Sequence, residues 1–178
     1  MTVLNVIGAI AATALASGSV AALVTHFLTN DRERRSLLRQ KAEDLYVSVE
    51  ALETSWSVEV VSLKSVVDGV ISYNQYLDLI IERGKKDDGN LNRRVDMLTE
   101  IYFPSAVSDL NAVRDALSKY NGLVSVHKEA YRAGQADGFS WRQDFAPNVG
   151  AVSAAFANYK RVVVRCAQSS FTPLRLRT

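Results

Sequence analysis

Residues 38–67 read LRQKAEDLYVSVEALETSWSVEVVSLKSVV, and their apolar positions recur alternately four and three residues apart. Leu38, Ala42, Leu45, Val49, Leu52, Trp56, Leu63 and Val66 fall into one seam, and Val70, Tyr73, Leu77 and Ile80 extend it beyond the quoted stretch. That is about six heptads of a coiled-coil-like seam, a pattern that fits a long helix and no strand. Glu59 is its one polar member, so either a partner stabilises a buried carboxylate there or a local twist turns Val58 or Val60 inward instead. Beyond Trp56 the stripe widens to include Val58, Val60, Val61, Val67, Ile71, Leu79 and Ile81, which predicts packing against more than one neighbour. Gly69 weakens this helix and marks a bend.

Working towards the N-terminus, Val3 to Leu28 contains no Asp, Glu, Lys or Arg, and a basic cluster of Arg32, Arg34, Arg35, Arg39 and Lys41 follows at once. A helix of about 26 residues reaches about 39 Å, enough to cross a hydrocarbon core about 30 Å thick with some tilt. The start Met1-Thr2-Val3-Leu4-Asn5 offers no basic n-region, which argues against a cleaved signal peptide although Ala14-Leu15-Ala16 resembles a cleavage site. Residues 1–29 are therefore expected to form a single transmembrane helix. The positive flank places the N-terminus outside and the body in the cytoplasm. Arg32, Arg34 and Arg35 lie at the expected membrane interface. Gly8, Ala12 and Ala16 share one face, Gly18 and Ala22 another, and this small-residue spacing makes them candidates for anchor self-association. Ala-rich helices also generate such repeats by composition alone.

Working towards the C-terminus, Gly84-Lys85-Lys86-Asp87-Asp88-Gly89-Asn90 reads as a solvated turn that ends one helix and starts the next. Apolar spacing resumes through Val95, Leu98 and Tyr102 and breaks at Pro104, which removes a backbone donor and clashes with the preceding turn. It continues through Val107, Leu110, Val113, Leu117, Tyr120, Val124, His127 and Tyr131. A second loop around Gly134 and Gly138 carries Phe139, Trp141, Arg142 and Phe145, and Pro147 or Asn148 suits the start of a last helix. Trp141 and Arg142 form an aromatic–basic pair of the kind found at membrane interfaces. The last helix shows Val149, Val152, Phe156, Tyr159, Val163 and Cys166 at heptad spacing.

The expected fold is therefore all-α: an N-terminal transmembrane helix, then an elongated antiparallel helical bundle over residues 30–170 and a tail over 171–178. Its helices are expected at about 30–83, 91–133 (kinked at Pro104) and 147–168. With the last helix short, apolar surface between about Val58 and Ile81 is left for a partner.

Composition narrows the function classes. The net charge of +2 is spread along the chain, so no nucleic acid partner is expected. A single cysteine, Cys166, excludes an intramolecular disulfide framework and suits a reducing compartment. Only two histidines are present, His26 and His127, and neither has metal-ligand spacing to another ligand type. His127 lies on an apolar seam and, with Glu59, forms the candidate polar core that sets register. No nucleophile elbow, phosphate loop or dinucleotide fingerprint occurs, so neither a catalytic activity nor a cofactor is expected. What remains is a single-pass cell-membrane protein with a cytoplasmic interaction or scaffolding body. Its expected partners are the lipid bilayer and either itself, as a homo-oligomer, or another helical protein. A membrane-acting effector or channel-like component, with assembled anchors perturbing the bilayer, is the alternative.

Overall fold

Two independent stop signals divide what the seam alone would make one helix. The computed structural model describes residues 3–84, 90–134 and 139–169, without the side chains of 3–20, 23, 84 and 139–141. Its elements are α1 (Val3–Val67), α2 (Tyr73–Gly84), α3 (Asn90–Tyr102), a 3-10 turn (Pro104–Ala106), α4 (Val107–Arg132) and α5 (Phe139–Ser169). All regular structure among the described residues is helical. Two compact units divide the chain, Met1–Gln40 and Lys41–Thr178.

In the first unit the described side chains are almost all exposed, including Val24, Phe27, Leu28 and Leu37. Asp31 and Arg35 pair one helical turn apart at 2.7 Å, an exposed arrangement worth a few tenths of a kcal/mol. Among the described residues no helix is long and apolar enough to cross a membrane. The side chains of residues 3–20, most of the uncharged stretch, lie outside that description.

The second unit holds the core. From α1 come Leu45, Val49, Trp56, Val60, Leu63 and Val67; from α4 Leu110, Val113 and Tyr120; from α5 Phe145, Val152, Phe156, Tyr159 and Val163. Most of these are heptad positions of three seams, while Val60 and Val67 come from the wider stripe of α1 and Phe145 from the expected loop, so the interior is the meeting of helical stripes. Burying each Leu, Val or Phe side chain contributes roughly 1.5–3 kcal/mol.

The helix expected over 30–83 is interrupted. Gly69 adopts φ +72; its N–H bonds the carbonyl of Val66 at 3.0 Å and the Val70 N–H that of Ser65 at 2.8 Å. This is a Schellman ending, in which the left-handed residue satisfies the last carbonyls of the helix. The chain restarts with a capping box: the Ser72 N–H donates to Gln75 Oε1 at 2.8 Å, and the Gln75 N–H donates to Ser72 Oγ at 3.3 Å. The interruption removes Val70 from the seam, where it is 74% exposed, and resets the register so that Tyr73 and Tyr76 become the buried positions of α2.

Pro104 behaves as its chemistry requires. Phe103 leaves helical geometry at φ −134, ψ 54, and Pro104 opens the short 3-10 turn as its first residue.

Pro147 does not start the last helix. It lies inside α5, which begins eight residues earlier at Phe139. Proline removes the bond to the carbonyl four residues back. Two contacts offset that loss: Phe145 is buried against the Tyr120 ring with centroids 6.4 Å apart, and Arg142 Nη2 donates to the carbonyl of Val67 at 2.7 Å. The last helix is thus 31 residues long, not the 22 or so expected.

Candidate functional site: a carboxylate among buried tyrosines

Glu59 interrupts the α1 seam because α2 folds back to meet it. Tyr76 donates its hydroxyl to Glu59 Oε1 at 3.3 Å, while Arg83, one end of α2, donates to Ser62 Oγ at 3.5 Å and adds positive potential at Glu59. The twist that turns Val60 into the core leaves Glu59 half-buried. Burial is the largest influence on the Glu59 carboxyl and pushes its pKa up, against the Tyr76 hydrogen bond and the Arg83 charge, which pull it down. The Tyr76 and Tyr120 phenols are held protonated well above their ordinary value, chiefly by burial and then by the negative field of Glu59. Tyr76 acts as a donor to Glu59.

Around this carboxylate lies an aromatic shell. Trp56 meets Tyr120 edge-on at 5.7 Å and Phe156 at 6.1 Å. Tyr73 meets His127 edge-on at 5.3 Å and Tyr131 at 4.8 Å. Pairs with this geometry contribute about 0.5–1.5 kcal/mol beyond their area. Two polar atoms in this shell, Trp56 Nε1 and the Tyr120 hydroxyl, are buried without a hydrogen-bond partner among the described residues. His127 is 4% exposed, and burial lowers its pKa. It is a core histidine facing an aromatic ring.

A second arrangement lies on the surface between α1 and α5. Lys160 Nζ donates to Glu53 Oε2 at 2.7 Å, lies 3.9 Å from Glu50 and sits 5.8 Å from the centroid of Tyr46. The Glu53 hydrogen bond is the main reason its pKa is raised. Beside it runs an open groove of about 400 Å³ lined by Tyr46, Lys160, Arg161, Val164 and Arg165.

The structure brings Glu59 and His127 into one aromatic core, although Glu59 bonds Tyr76 and His127 faces Tyr73. Arg142 engages the end of α1. Arg32 and Arg34 are exposed, and Arg35 pairs with Asp31. Ala22 is exposed. The side chains of Gly8, Ala12, Ala16, Gly18 and Trp141 lie outside the described residues. No group of three or more metal-ligating side chains is found among the described residues. Tyr120 is legible only as a seam position and Tyr76 has no signal of its own; nothing in local spacing links either to Glu59, since 61 and 17 residues separate them from it. Tyr76 becomes predictable only once Ser72-x-x-Gln75 is read as a helix start. Chemically, the centre holds α2 against α1 through the Tyr76–Glu59 hydrogen bond. Comparison with protein families, with characterised proteins and with solved structures finds no match to this chain.

Proposed function

We propose that this chain is a single-pass membrane protein whose helical body acts as an interaction and scaffolding module and associates with copies of itself. The observation that carries the reading is apolar surface left outside a closed core. Val47, Val61, Val70, Ile81, Ile101 and Val126 are each more than half exposed although the seams beneath them are buried. Exposed apolar side chains that share a helix face, as Val47 and Val61 do on α1, supply surface for protein–protein contact, and a second copy supplies the complementary surface without another gene product. The membrane part rests on the uncharged Val3–Leu28 stretch and its basic flank, which direct the body to the cytoplasm. The small and polar residues of that stretch, with His26, support an alternative role as a membrane-acting effector or channel-like component.

Light scattering of the full chain in a mild detergent, with the micelle mass subtracted, tests self-association. A dimer or higher species is expected, and a strictly monomeric chain contradicts the reading. Reconstitution into dye-loaded vesicles separates the two roles: a scaffold leaves them tight, whereas an effector makes them leak.

A further inference from the structure

The outer face of α1 carries a second stripe opposite the core. Val47, Ala51, Thr54, Val58, Val61 and Ser65 follow one another at spacings of four, three, four, three and four. None is charged. Val47 and Val61 are 65% and 64% exposed, Ala51 and Thr54 are exposed, and Val58 and Ser65 are half-buried. A shallow furrow of about 340 Å³ runs beside Glu53, Thr54, Ser57, Val58 and Val61, with Glu53 on its rim already engaged by Lys160. Asp44 and Asp68 occupy the next positions at the two ends, so the uncharged ridge is about 27 Å long and closed by carboxylates at both ends.

We propose that two copies of this chain pair antiparallel along this ridge, in the register that sets Val47 against the partner's Ser65. The inference rests on the self-association proposed above and gives it a surface and a register. Two observations select it. In this register every layer sets a Val against a smaller or isosteric residue: Val47 on the partner's Ser65, Val61 on the partner's Ala51, Val58 on the partner's Thr54. Facing positions of alternating size fill space evenly, whereas a parallel pair stacks Ala on Ala and Ser on Ser and leaves gaps. The flanks agree. Glu50, Ser57 and Lys64 line one edge of the ridge, and the same register places Glu50 beside the partner's Lys64 twice, with Ser57 at the two-fold axis.

Both charged side chains are available there, Glu50 at 52% and Lys64 at 61% exposure. Their present neighbours are Lys160 at 3.9 Å from Glu50 and Asp68 in contact with Lys64. The contact is isologous and closes at two copies.

The test uses the full chain in detergent, with Cys166→Ser removing the native thiol and circular dichroism confirming helicity in each variant. Mild oxidation of mixed Val47→Cys and Ser65→Cys chains is expected to give a disulfide-linked dimer, while Val47→Cys alone gives none. Glu50→Lys and Lys64→Glu each place like charges at both ends of that edge and are expected to weaken the dimer on the order of tenfold. Mixing the two variants makes every edge pair opposite in sign and restores association, which an effect confined to one chain does not do. Linkage of Val47→Cys to itself shows a parallel pair and overturns the proposal. An oligomer seen by light scattering with no linkage through this ridge overturns the pairing and leaves self-association standing. A monomer under all conditions overturns both.

Discussion

Gly69 and Gly122 carry opposite predictions from the same chemical change. A Cβ added at either glycine meets no atom within 4 Å, so neither Gly→Ala substitution creates a clash. Gly69 is held at φ +72, where an L-residue is disfavoured by roughly 1–2 kcal/mol; alanine recovers about 0.4–1 kcal/mol by restricting the unfolded chain. Gly69→Ala is therefore expected to destabilise the body by about 1 kcal/mol. Gly122 lies within α4, where alanine gains about 0.5–1 kcal/mol in helical preference. With a urea slope of about 2 kcal/mol/M, the midpoint falls by about 0.5 M in Gly69→Ala and rises by about 0.3–0.5 M in Gly122→Ala. Urea unfolding of the full chain in detergent, followed by circular dichroism at 222 nm, measures both. A Gly69→Ala chain as stable as the parent refutes the Schellman ending, because a continuous helix through 69 gains from alanine as Gly122 does.

Further outcomes follow from the polar atoms of the core. Because the folded-state pKa of Glu59 is raised above its ordinary 4.5, its ionisation opposes folding above that value. Its share of stability therefore increases as pH falls towards 4.5, and Glu59→Gln is expected to be more stable than the parent at pH 7, with the difference vanishing near pH 4.5. The lowered pKa of His127 acts in the other sense, losing stability as pH falls through its ordinary 6.5, and is common to both chains, so the difference between the two melts isolates Glu59. Tyr120→Phe deletes a buried hydroxyl with no partner among the described residues and is expected to leave the urea midpoint unchanged or raise it by up to about 1 kcal/mol equivalent. Thr99→Val removes the hydroxyl that pairs with the buried Tyr159 hydroxyl and is expected to cost about 1–3 kcal/mol in the same assay, because the phenol is left without that partner.

Periodicity made the helical seams legible. Leu45, Val49, Trp56 and Leu63, then Leu110, Val113 and Tyr120, then Val152, Phe156, Tyr159 and Val163 are buried where the heptads place them. The break at Pro104 was equally readable, since proline acts locally. The break at Gly69 was not read in full because a single glycine costs a helix only about 1 kcal/mol. It is the Ser72 and Gln75 box downstream that turns a weak point into an end. The start of α5 is not legible for a related reason: a helix accommodates Pro147 when Phe145 and Arg142 make tertiary contacts that offset the lost bond. Glu59 and His127 stood out as polar residues in apolar seams. Their neighbours Tyr76 and Tyr73 did not, because contacts across separate helices leave no trace in local spacing. Between Val58 and Ile81, where unpartnered surface is expected, Val60, Leu63, Val67, Tyr73 and Tyr76 are buried in the body's own core, and Val61, Val70 and Ile81 are exposed.

The membrane anchoring proposed for residues 3–28 is tested by alkaline carbonate extraction of membranes from cells expressing the full chain. The account predicts that the full chain stays in the membrane pellet, and that a variant carrying Ala14→Lys and Ala16→Glu, which places two charges in the span, passes into the supernatant. Release of the unaltered chain into the carbonate supernatant contradicts the account.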